Sequence, residues 1–437
     1  MGEHVQVNCP AGEITGTTVG DVSYFRSIQH LSFETFSPAR LAAPAHIDAR
    51  TPRPGEVALS VTVPAGTRAD EDLPVLAYIH GGAYESGSHE ESRTRATAFA
   101  RAGVITVSLD YRLGPAGFVR FHDDEPNRYR GIDDCLLGLQ WIQRNIESFG
   151  GDPTNVTLSG QSAGAGIALW LVRRDHFRGE FRRVLALSPA YPRDTFERRK
   201  GSLRAALSTP VTRVAFSRLK PTALERGYRR FKARHATDMA LGPAPFDGAE
   251  LSDIPILVTE TREEFYDHPL GVRVDRAGFS TAGLRLMGRT MGLESVGTYL
   301  AHARRHDPQG VARQLIGDSL IRRWVSRTVE DAPGPVWLSE LAGTPGHPAL
   351  HSCDIPLFFH TLDADRRYHR GDAGRSRELA DRIHGDVRDF VHGRLPAWPR
   401  YEPVEGGRIA RQLLLNDPAA GPRHVTDPLR LVRGSFR

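Results

Sequence analysis

Lysine is almost missing from this 437-residue chain. Lys200, Lys220 and Lys232 are the only three, so the 57 basic residues are nearly all arginine, and they face 52 acidic ones for a formal net charge of +5. So small an excess, with its densest clusters (Arg198-Arg199-Lys200 and Arg229-Arg230) in a polar helical stretch, lacks the basic stripe with interleaved aromatics that nucleic acid requires. No nucleic-acid partner is expected. Cysteine is scarce as well: Cys9, Cys135 and Cys353 are odd in number and widely spaced, which excludes a disulfide scaffold and offers no CxxC pair for zinc. A reducing compartment follows, and a cytoplasmic location is the expectation. No window approaches the run of about 18 apolar residues that a membrane span needs, and Met1–Pro10 has neither the basic n-region nor the apolar h-region of a secretory leader. His89-Glu90-Glu91 lacks the HExxH spacing, no P-loop occurs, and Gly164-Ala165-Gly166 is short of a Rossmann glycine. Neither a metal nor an organic cofactor is expected. Internal repeats and low-complexity tracts are absent too.

What is present suits a folded body. Apolar residues at 40% and charged ones at 25% permit a sizeable core. The 43 glycines and 30 prolines, without a Gly-X-Y period, imply many loops. Short β-rich runs alternate with helical segments, as when helices cover a mostly parallel sheet. The expected strands are Val75–Ile79, Val104–Leu109, Val156–Ser159, Val184–Ser188, Ile256–Val258 and Ile355–Phe359. Asp133–Ser148 carries Leu136, Leu137, Leu139, Trp141, Ile142 and Ile146 at helical spacing, a buried crossover. Val5–Val7 and Val57–Val63 read as an antiparallel lead-in, and Asp331–Pro335 as a loop. Residues 193–249 and 266–342 are arginine-rich and helical, which predicts one α/β domain over 1–437 with two helical insertions.

The strongest chemical signal is Gly160-Gln161-Ser162-Ala163-Gly164, placed between the strand Val156–Ser159 and the apolar helix Ile167–Val172. A serine on a sharp strand-to-helix turn needs small residues two positions to either side, because a Cβ there collides with backbone. The same turn puts Ser162 at a helix N-terminus, which favours negative charge developing nearby. Upstream, Tyr78-Ile79-His80-Gly81-Gly82-Ala83-Tyr84 sets a glycine pair at the end of a central strand. Attack on an acyl carbonyl creates an oxyanion that needs donors about 2.7–3.1 Å from the developing charge. The amides of Gly82, Ala83 and Ala163 are the candidates.

These motifs, together with Asp110-Tyr111-Arg112-Leu113-Gly114, Gly117-Phe118, Asn127, Gly131, Asp133, Trp141, Asn145-Ile146, Phe149-Gly150-Gly151-Asp152-Pro153 and Val156-Thr157, resemble the type-B carboxylesterases, a family of α/β-hydrolases. Gly12-Glu13-Ile14-Thr15-Gly16 and Trp398-Pro399-Arg400-Tyr401 resemble family positions near the ends. The resemblance implies the α/β-hydrolase fold, with a central mostly parallel sheet, antiparallel N-terminal strands and the insertions forming a pocket wall. It also implies a triad in the order serine, acid, histidine. A serine hydroxyl needs an imidazole base, and that base needs a carboxylate to fix its tautomer. Ile254-Pro255-Ile256-Leu257-Val258-Thr259-Glu260-Thr261-Arg262-Glu263-Glu264-Phe265 resembles the segment of the acid, with Glu264 in the catalytic place, Glu263 as fallback and Asp267 a poorer choice. His351-Ser352-Cys353-Asp354-Ile355-Pro356-Leu357-Phe358-Phe359 resembles the segment of the base, which names His351 over its neighbours His347 and His360.

Three departures bear on the site. Gln161 stands where many relatives carry glutamate, Ala83 replaces a glycine while keeping its amide, and Ser188-Pro189 replaces serine-glycine, leaving Ser188 as a possible partner of Glu264. The implied function is a serine carboxylic-ester hydrolase acting through an acyl-enzyme on a small-molecule ester. An amidase, carbamate hydrolase or acyltransferase would use the same chemistry, and a catalytically silent binding protein would use the same fold. Arg173, Arg174 and Arg262 are open as selectors of acidic acyl groups or as surface charges, and the oligomeric state is open.

Overall fold

A computed structural model of the chain describes residues 2–278, 280–344, 346–368, 373–403, 407–415 and 417–436. Its frame is a 13-stranded sheet. The strands are β1 (Glu3–Cys9), β2 (Gly12–Val19), β3 (Val22–Ile28), β4 (Ala45–Asp48), β5 (Leu59–Pro64), β6 (Leu73–Ile79), β7 (Ile105–Leu109), β8 (Gly151–Gln161), β9 (Arg183–Leu187), β10 (Ile256–Thr261), β11 (Val336–Ala342), β12 (Ile409–Leu414) and β13 (Arg423–Thr426). They lie in the order β1-β2-β3-β5-β7-β6-β8-β9-β10-β11-β12-β13, with β4 beside β2. From β7 to β12 every neighbouring pair is parallel. The N-terminal strands β1, β2, β3 and β5 join antiparallel, as expected of the lead-in, while β4 lies parallel to β2, and β13 closes the far edge antiparallel. This mixed sheet flanked by helices is an α/β-hydrolase fold.

Parallel strands connected by helices are covered on both faces and so read as continuous apolar runs rather than alternating ones. Ile105–Leu109 is buried at every position, and Leu73–Ile79 at all but its first. The crossover α1 (Arg130–Asn145) buries Ile132, Cys135, Leu139, Trp141 and Ile142 and presents a polar face outward. The helix after Ser162, α2 (Ala163–Val172), is buried along its whole length, so its sequence is apolar all round. Within it Trp170 is fully buried, donates its indole N–H to Asn127 O at 3.0 Å and meets the Tyr129 ring edge-on with centroids 5.6 Å apart.

Two expectations are corrected. Ile355–Phe359 is not a strand, since Ile355–Phe358 forms a short helix with Pro356 in its first turn. Proline there forfeits only an N–H that has no intrahelical partner, whereas within a central strand it would remove a ladder bond. The sheet position is taken by β11, so the second insertion is helical from Pro269 to Asp331 rather than over all of 266–342, and residues 336–342 belong to the sheet. The first insertion holds Arg213–Ser217 and the packed helices α3 (Phe196–Leu207) and α4 (Pro221–Ala233). Among the described residues Cys9, Cys135 and Cys353 form no disulfide. Among the described residues no helix is long and apolar enough to cross a membrane.

Asp354, at the start of the Ile355–Phe358 helix, is buried, and neither carboxylate oxygen has a hydrogen-bond partner among the described residues. Burial, reinforced by the Glu264 charge, pushes its pKa up to about 6. A carboxyl whose folded pKa is raised binds its proton more tightly in the native state. Stability therefore falls as pH rises from about 4 to 6, by about 3 kcal/mol at most, and is flat above. Asp354→Asn is expected to flatten that slope in urea denaturation at a series of pH values. In the same assay Trp170→Ala is expected to cost about 3–5 kcal/mol at neutral pH, the range for emptying a large aromatic site.

Candidate active site

In an open α/β sheet, ligands bind outside the carboxyl ends of the parallel strands. Here the loops leaving adjacent strands β6, β8, β9, β10 and β11 carry, in that order, the Gly81-Gly82-Ala83 turn, Ser162, Ser188, Glu264 and His351. The ladder keeps these ends level: Gly160 pairs with Ile79 and Ala186, Leu187 with Gln161 and Thr259, and Thr261 with Leu341. Residues far apart in sequence thus meet along one edge of the sheet, where neighbouring strands lie about 4.8 Å apart.

Ser162 occupies φ 56°, ψ −120°, a strained backbone state for an L-residue. Its amide donates to Leu187 O at 2.8 Å, and its carbonyl accepts from Gly166 N at 2.9 Å and Ala190 N at 3.2 Å. The flanking glycines are there because nothing larger fits. A Cβ on Gly160 would lie 2.3 Å from Gly164 O, and one on Gly164 only 2.2 Å from Ile79 O. Gly81 is equally confined: its Cβ would lie 2.4 Å from Gln161 Oε1 and 3.2 Å from Ser162 Cβ, which sets the glycine turn directly against the serine.

The three amides named from sequence share a geometric property. In a trans peptide the C=O and the next N–H point in opposite directions. Gly81 O is held by His80 Nδ1 at 2.8 Å, Gly82 O by the amides of Glu85 at 2.9 Å and Ser86 at 3.0 Å, and Ser162 O by Gly166 and Ala190. Each of these carbonyls being engaged on one side, the N–H groups of Gly82, Ala83 and Ala163 face the other way. Among the described residues none of the three donates to a carbonyl in a turn or cap. Gly82 at φ 107° and Ala83 at φ 55° are both in the left-handed half of backbone space, which suits glycine and strains alanine.

Glu264 is fully buried, with one oxygen 2.5 Å from His351 Nδ1. Its other oxygen accepts from Ser188 Oγ at 2.5 Å and from the Thr261 amide at 3.0 Å. Burial alone would raise the carboxyl. The charge and hydrogen bond of His351, with Ser188 and Thr261, outweigh it and hold the pKa below the ordinary glutamate value. The Phe265 ring stacks on His351 with centroids 4.4 Å apart and planes 20° from parallel, fixing the imidazole on one face. His351 Nε2 lies 3.2 Å from Gln161 Nε2. An amide NH₂ can only donate, so Nε2 is an acceptor and Nδ1 carries the proton toward Glu264. No hydrogen bond joins Ser162 Oγ to His351 among the described residues; the partner on that nitrogen is the residue next to Ser162 in the chain.

The alternatives weighed from sequence lie elsewhere. Glu263 accepts the amides of Gly343 and Ala349, both at 2.9 Å, and so braces the loop that carries His351. His360 pairs with Asp381 at 2.8 Å. Arg173 lies at the far end of α2, stacked over Trp170 and paired with Asp175 and Glu250, and Arg174 bonds Ala249 O. Neither faces the site. Arg262 contacts His306 on an exposed surface. Sequence reasoning missed the contact of Gln161 with His351, although it marked Gln161 as a departure, and it missed the hold of His80 on Gly81 O. The latter could be sought in any histidine that immediately precedes a glycine pair.

The Carboxylesterase family profile matches residues 57–212. A probable N-octanoylanthranilate hydrolase of Rhodococcus erythropolis is 29% identical over 91% of this chain and 95% of its own length. The para-nitrobenzyl esterase of Bacillus subtilis strain 168 is 26% identical over 79% of this chain and 74% of its own. Among solved structures, a carboxylesterase of Geobacillus stearothermophilus superposes with a TM-score of 0.79 at 21% identity, covering 99% of this chain and all of its own. With the matched segment running from β5 through the serine turn and β9, and the likeness in fold extending over nearly the whole chain, the chain is similar to the carboxylesterases of the α/β-hydrolase fold, and these similarities support an enzyme of the carboxylic-ester hydrolase class.

Proposed function

We propose that the chain hydrolyses small-molecule carboxylic esters through a Ser162–His351–Glu264 triad and an acyl-enzyme. His351 Nε2 takes the hydroxyl proton as Ser162 Oγ attacks the ester carbonyl, and the amides of Gly82, Ala83 and Ala163 receive the oxyanion. Collapse of that intermediate expels the alcohol, which leaves with the proton carried by His351. Water, deprotonated by the same Nε2, then attacks the acyl-serine and releases the acid. Glu264 stays ionised throughout, orienting the ring and stabilising the imidazolium.

The single observation that carries this reading is the 2.5 Å contact of Glu264 with His351 Nδ1, which leaves the opposite ring nitrogen an acceptor turned to the serine turn. In the resting state that nitrogen takes a proton donor from Gln161. Catalytic hydrogen bonds in ligand-free enzymes are often loose and tighten in the Michaelis complex, so the substrate is expected to bring Nε2 from Gln161 to Ser162. We assign the insertions over 193–249 and 266–331 to the wall of the substrate pocket. Support comes from α4, whose Tyr228 donates to Glu85 Oε1 at 2.7 Å and whose Lys232 pairs with Glu85, tying the first insertion to the glycine turn.

A second reading keeps the acyl-enzyme but changes the bond. The relative named for N-octanoylanthranilate favours an N-acyl substrate, an amide in place of an ester. Carbamates and acyl acceptors other than water fall within the same chemistry. A silent binding protein is disfavoured because all three triad candidates are present.

Ser162→Ala is expected to abolish both ester turnover and stoichiometric labelling by a fluorophosphonate probe, with unchanged thermal stability. Labelling that persists in this variant would remove Ser162 from the nucleophile's role. Glu264→Gln is expected to lower kcat by about 10⁴-fold with KM little changed, because an amide there offers the wrong partner to Nδ1–H. Product analysis of matched octanoyl esters and anilides, read as kcat/KM, separates the ester reading from the amide one.

A further inference from the structure

His80 immediately precedes the glycine pair and is buried. Its Nδ1 lies 2.8 Å from Gly81 O and its Nε2 3.0 Å from Asp110 Oδ1. A carbonyl oxygen only accepts. Asp110 is likewise surrounded by donors: besides His80, its oxygens take the Tyr111 amide at 2.7 Å and His89 Nδ1 at 2.9 Å. A proton retained on this carboxyl would be set against one of those N–H groups, so Asp110 is a carboxylate and both nitrogens of His80 must carry hydrogen. His89 needs only one proton. Its Nε2 lies 2.9 Å from Ser27 Oγ, nearer than the 3.4 Å from that hydroxyl to Glu90 Oε1, so Ser27 can donate to it while accepting the Arg53 amide at 2.8 Å. One carboxylate then balances one imidazolium.

We propose that His80 is a permanently charged positioning residue of the oxyanion loop: its imidazolium, paired with Asp110, holds the Gly81 carbonyl so that the Gly82 N–H of the same peptide group faces the carbonyl under attack. The proposal rests on the hydrolase reading of Ser162. Of the three peptide groups that would serve the oxyanion, those of Ala83 and Ala163 have their carbonyls anchored by backbone amides. Only the Gly81–Gly82 group is anchored by a side-chain ring, and so depends on a proton. The ring is built in: Tyr111 stacks on it with centroids 4.6 Å apart and planes 15° from parallel, and the Tyr111 hydroxyl donates to His80 O at 3.1 Å. Gly87 makes room, since a Cβ there would lie 2.1 Å from Nδ1. The charged and titratable groups facing the ring are Asp110 at the end of β7 and His89 and Glu91 from the segment after the loop, with the Tyr111 phenol against its face. Burial opposes the charge, but Asp110 and the Gly81 carbonyl outweigh it and raise the imidazole above its ordinary value.

The test is ¹⁵N NMR of the full chain with labelled imidazoles, His80→Gln serving to assign the resonance, beside steady-state kinetics. A ring still doubly protonated at the pH where an exposed imidazole has lost its second proton, and missing in the variant, is the expected result. Should His80→Gln not fold, the unaltered protein still decides, because no exposed histidine holds both protons at that pH. A His80 ring with a single proton at neutral pH overturns the proposal. In kinetics, His80→Gln is expected to lower kcat by about 10²-fold, as for a misaimed oxyanion donor, with KM within about twofold. A trifluoromethyl ketone that mimics the tetrahedral adduct should weaken by the same factor. A merely structural role would lower melting temperature without that split. Loss of hydrolysis in Ser162→Ala together with His80→Gln kinetics within about threefold of the parent brings down the positioning role alone. Retained hydrolysis in Ser162→Ala brings down the nucleophile and the positioning role with it.

Discussion

The site depends on one strained residue. Ser162 is held at positive φ between the last residue of a central parallel strand and the first of a fully buried helix. Such a backbone state costs on the order of 1–3 kcal/mol and persists only when its surroundings over-determine it. Here they do. The serine amide and carbonyl both have partners, and glycines at 160 and 164 allow strand and helix to approach closer than any Cβ would permit. The cost is met by α2, which is buried along its whole length. Strand, turn and helix therefore form one mechanical unit that sets Ser162 directly against the Gly81-Gly82-Ala83 turn.

Legibility in the sequence followed locality. The strands β6 to β10 stand out because burial on both faces makes them plain apolar runs. The serine turn stands out because its glycines are a steric requirement. Ile355–Phe359 reads as a strand because a five-residue apolar run has no period with which to tell strand from buried helix, and Pro356, which disfavours a central strand, is the one local sign against it. β11 was hidden for the opposite reason. Its Ser339 and Glu340 break the apolar run, and both are buried against partners from remote segments: Arg411 on Ser339, and Arg322 and Gln412 on Glu340. The pairing of Glu264 with His351 was reached through family resemblance, since spacing alone could not choose among neighbouring carboxylates or the 18 histidines. The links His80–Asp110 and Gln161–His351 join residues that only the sheet register brings together.

Beneath Glu264 lies a further constraint. Glu260, on the same strand, is completely buried, and burial raises its pKa to about 8. Arg322 reaches it at 3.1 Å and also contacts Asp318 at 3.2 Å and Glu340 at 3.4 Å. Three carboxyl groups around one guanidinium contribute little net stability, because desolvating ions cancels most of their attraction. Their effect is geometric. Arg322 closes a π-helical turn, Asp318–Arg322, in the second insertion, and Tyr299 from another of its helices donates to Asp318 Oδ2 at 2.7 Å. The guanidinium thus pins the insertion to the strand that leads to Glu264, and Gly317, just before the turn, packs so tightly on Glu264 that a Cβ there would lie 2.0 Å from the Glu264 carbonyl.

That arrangement couples both insertions to the loops that leave the sheet. Helices from the first insertion reach the glycine turn through Tyr228 and Lys232 on Glu85, and helices from the second reach Glu264 through Arg322 and Gly317. Neither insertion is an ornament on a finished sheet, because each touches a loop that the proposed mechanism requires to be set to within tenths of an ångström. The arginine-rich composition serves that end: a planar guanidinium with five donors can bridge several carboxylates and carbonyls at once, as Arg322 and Arg112 do here, where a lysine would offer a single point of charge.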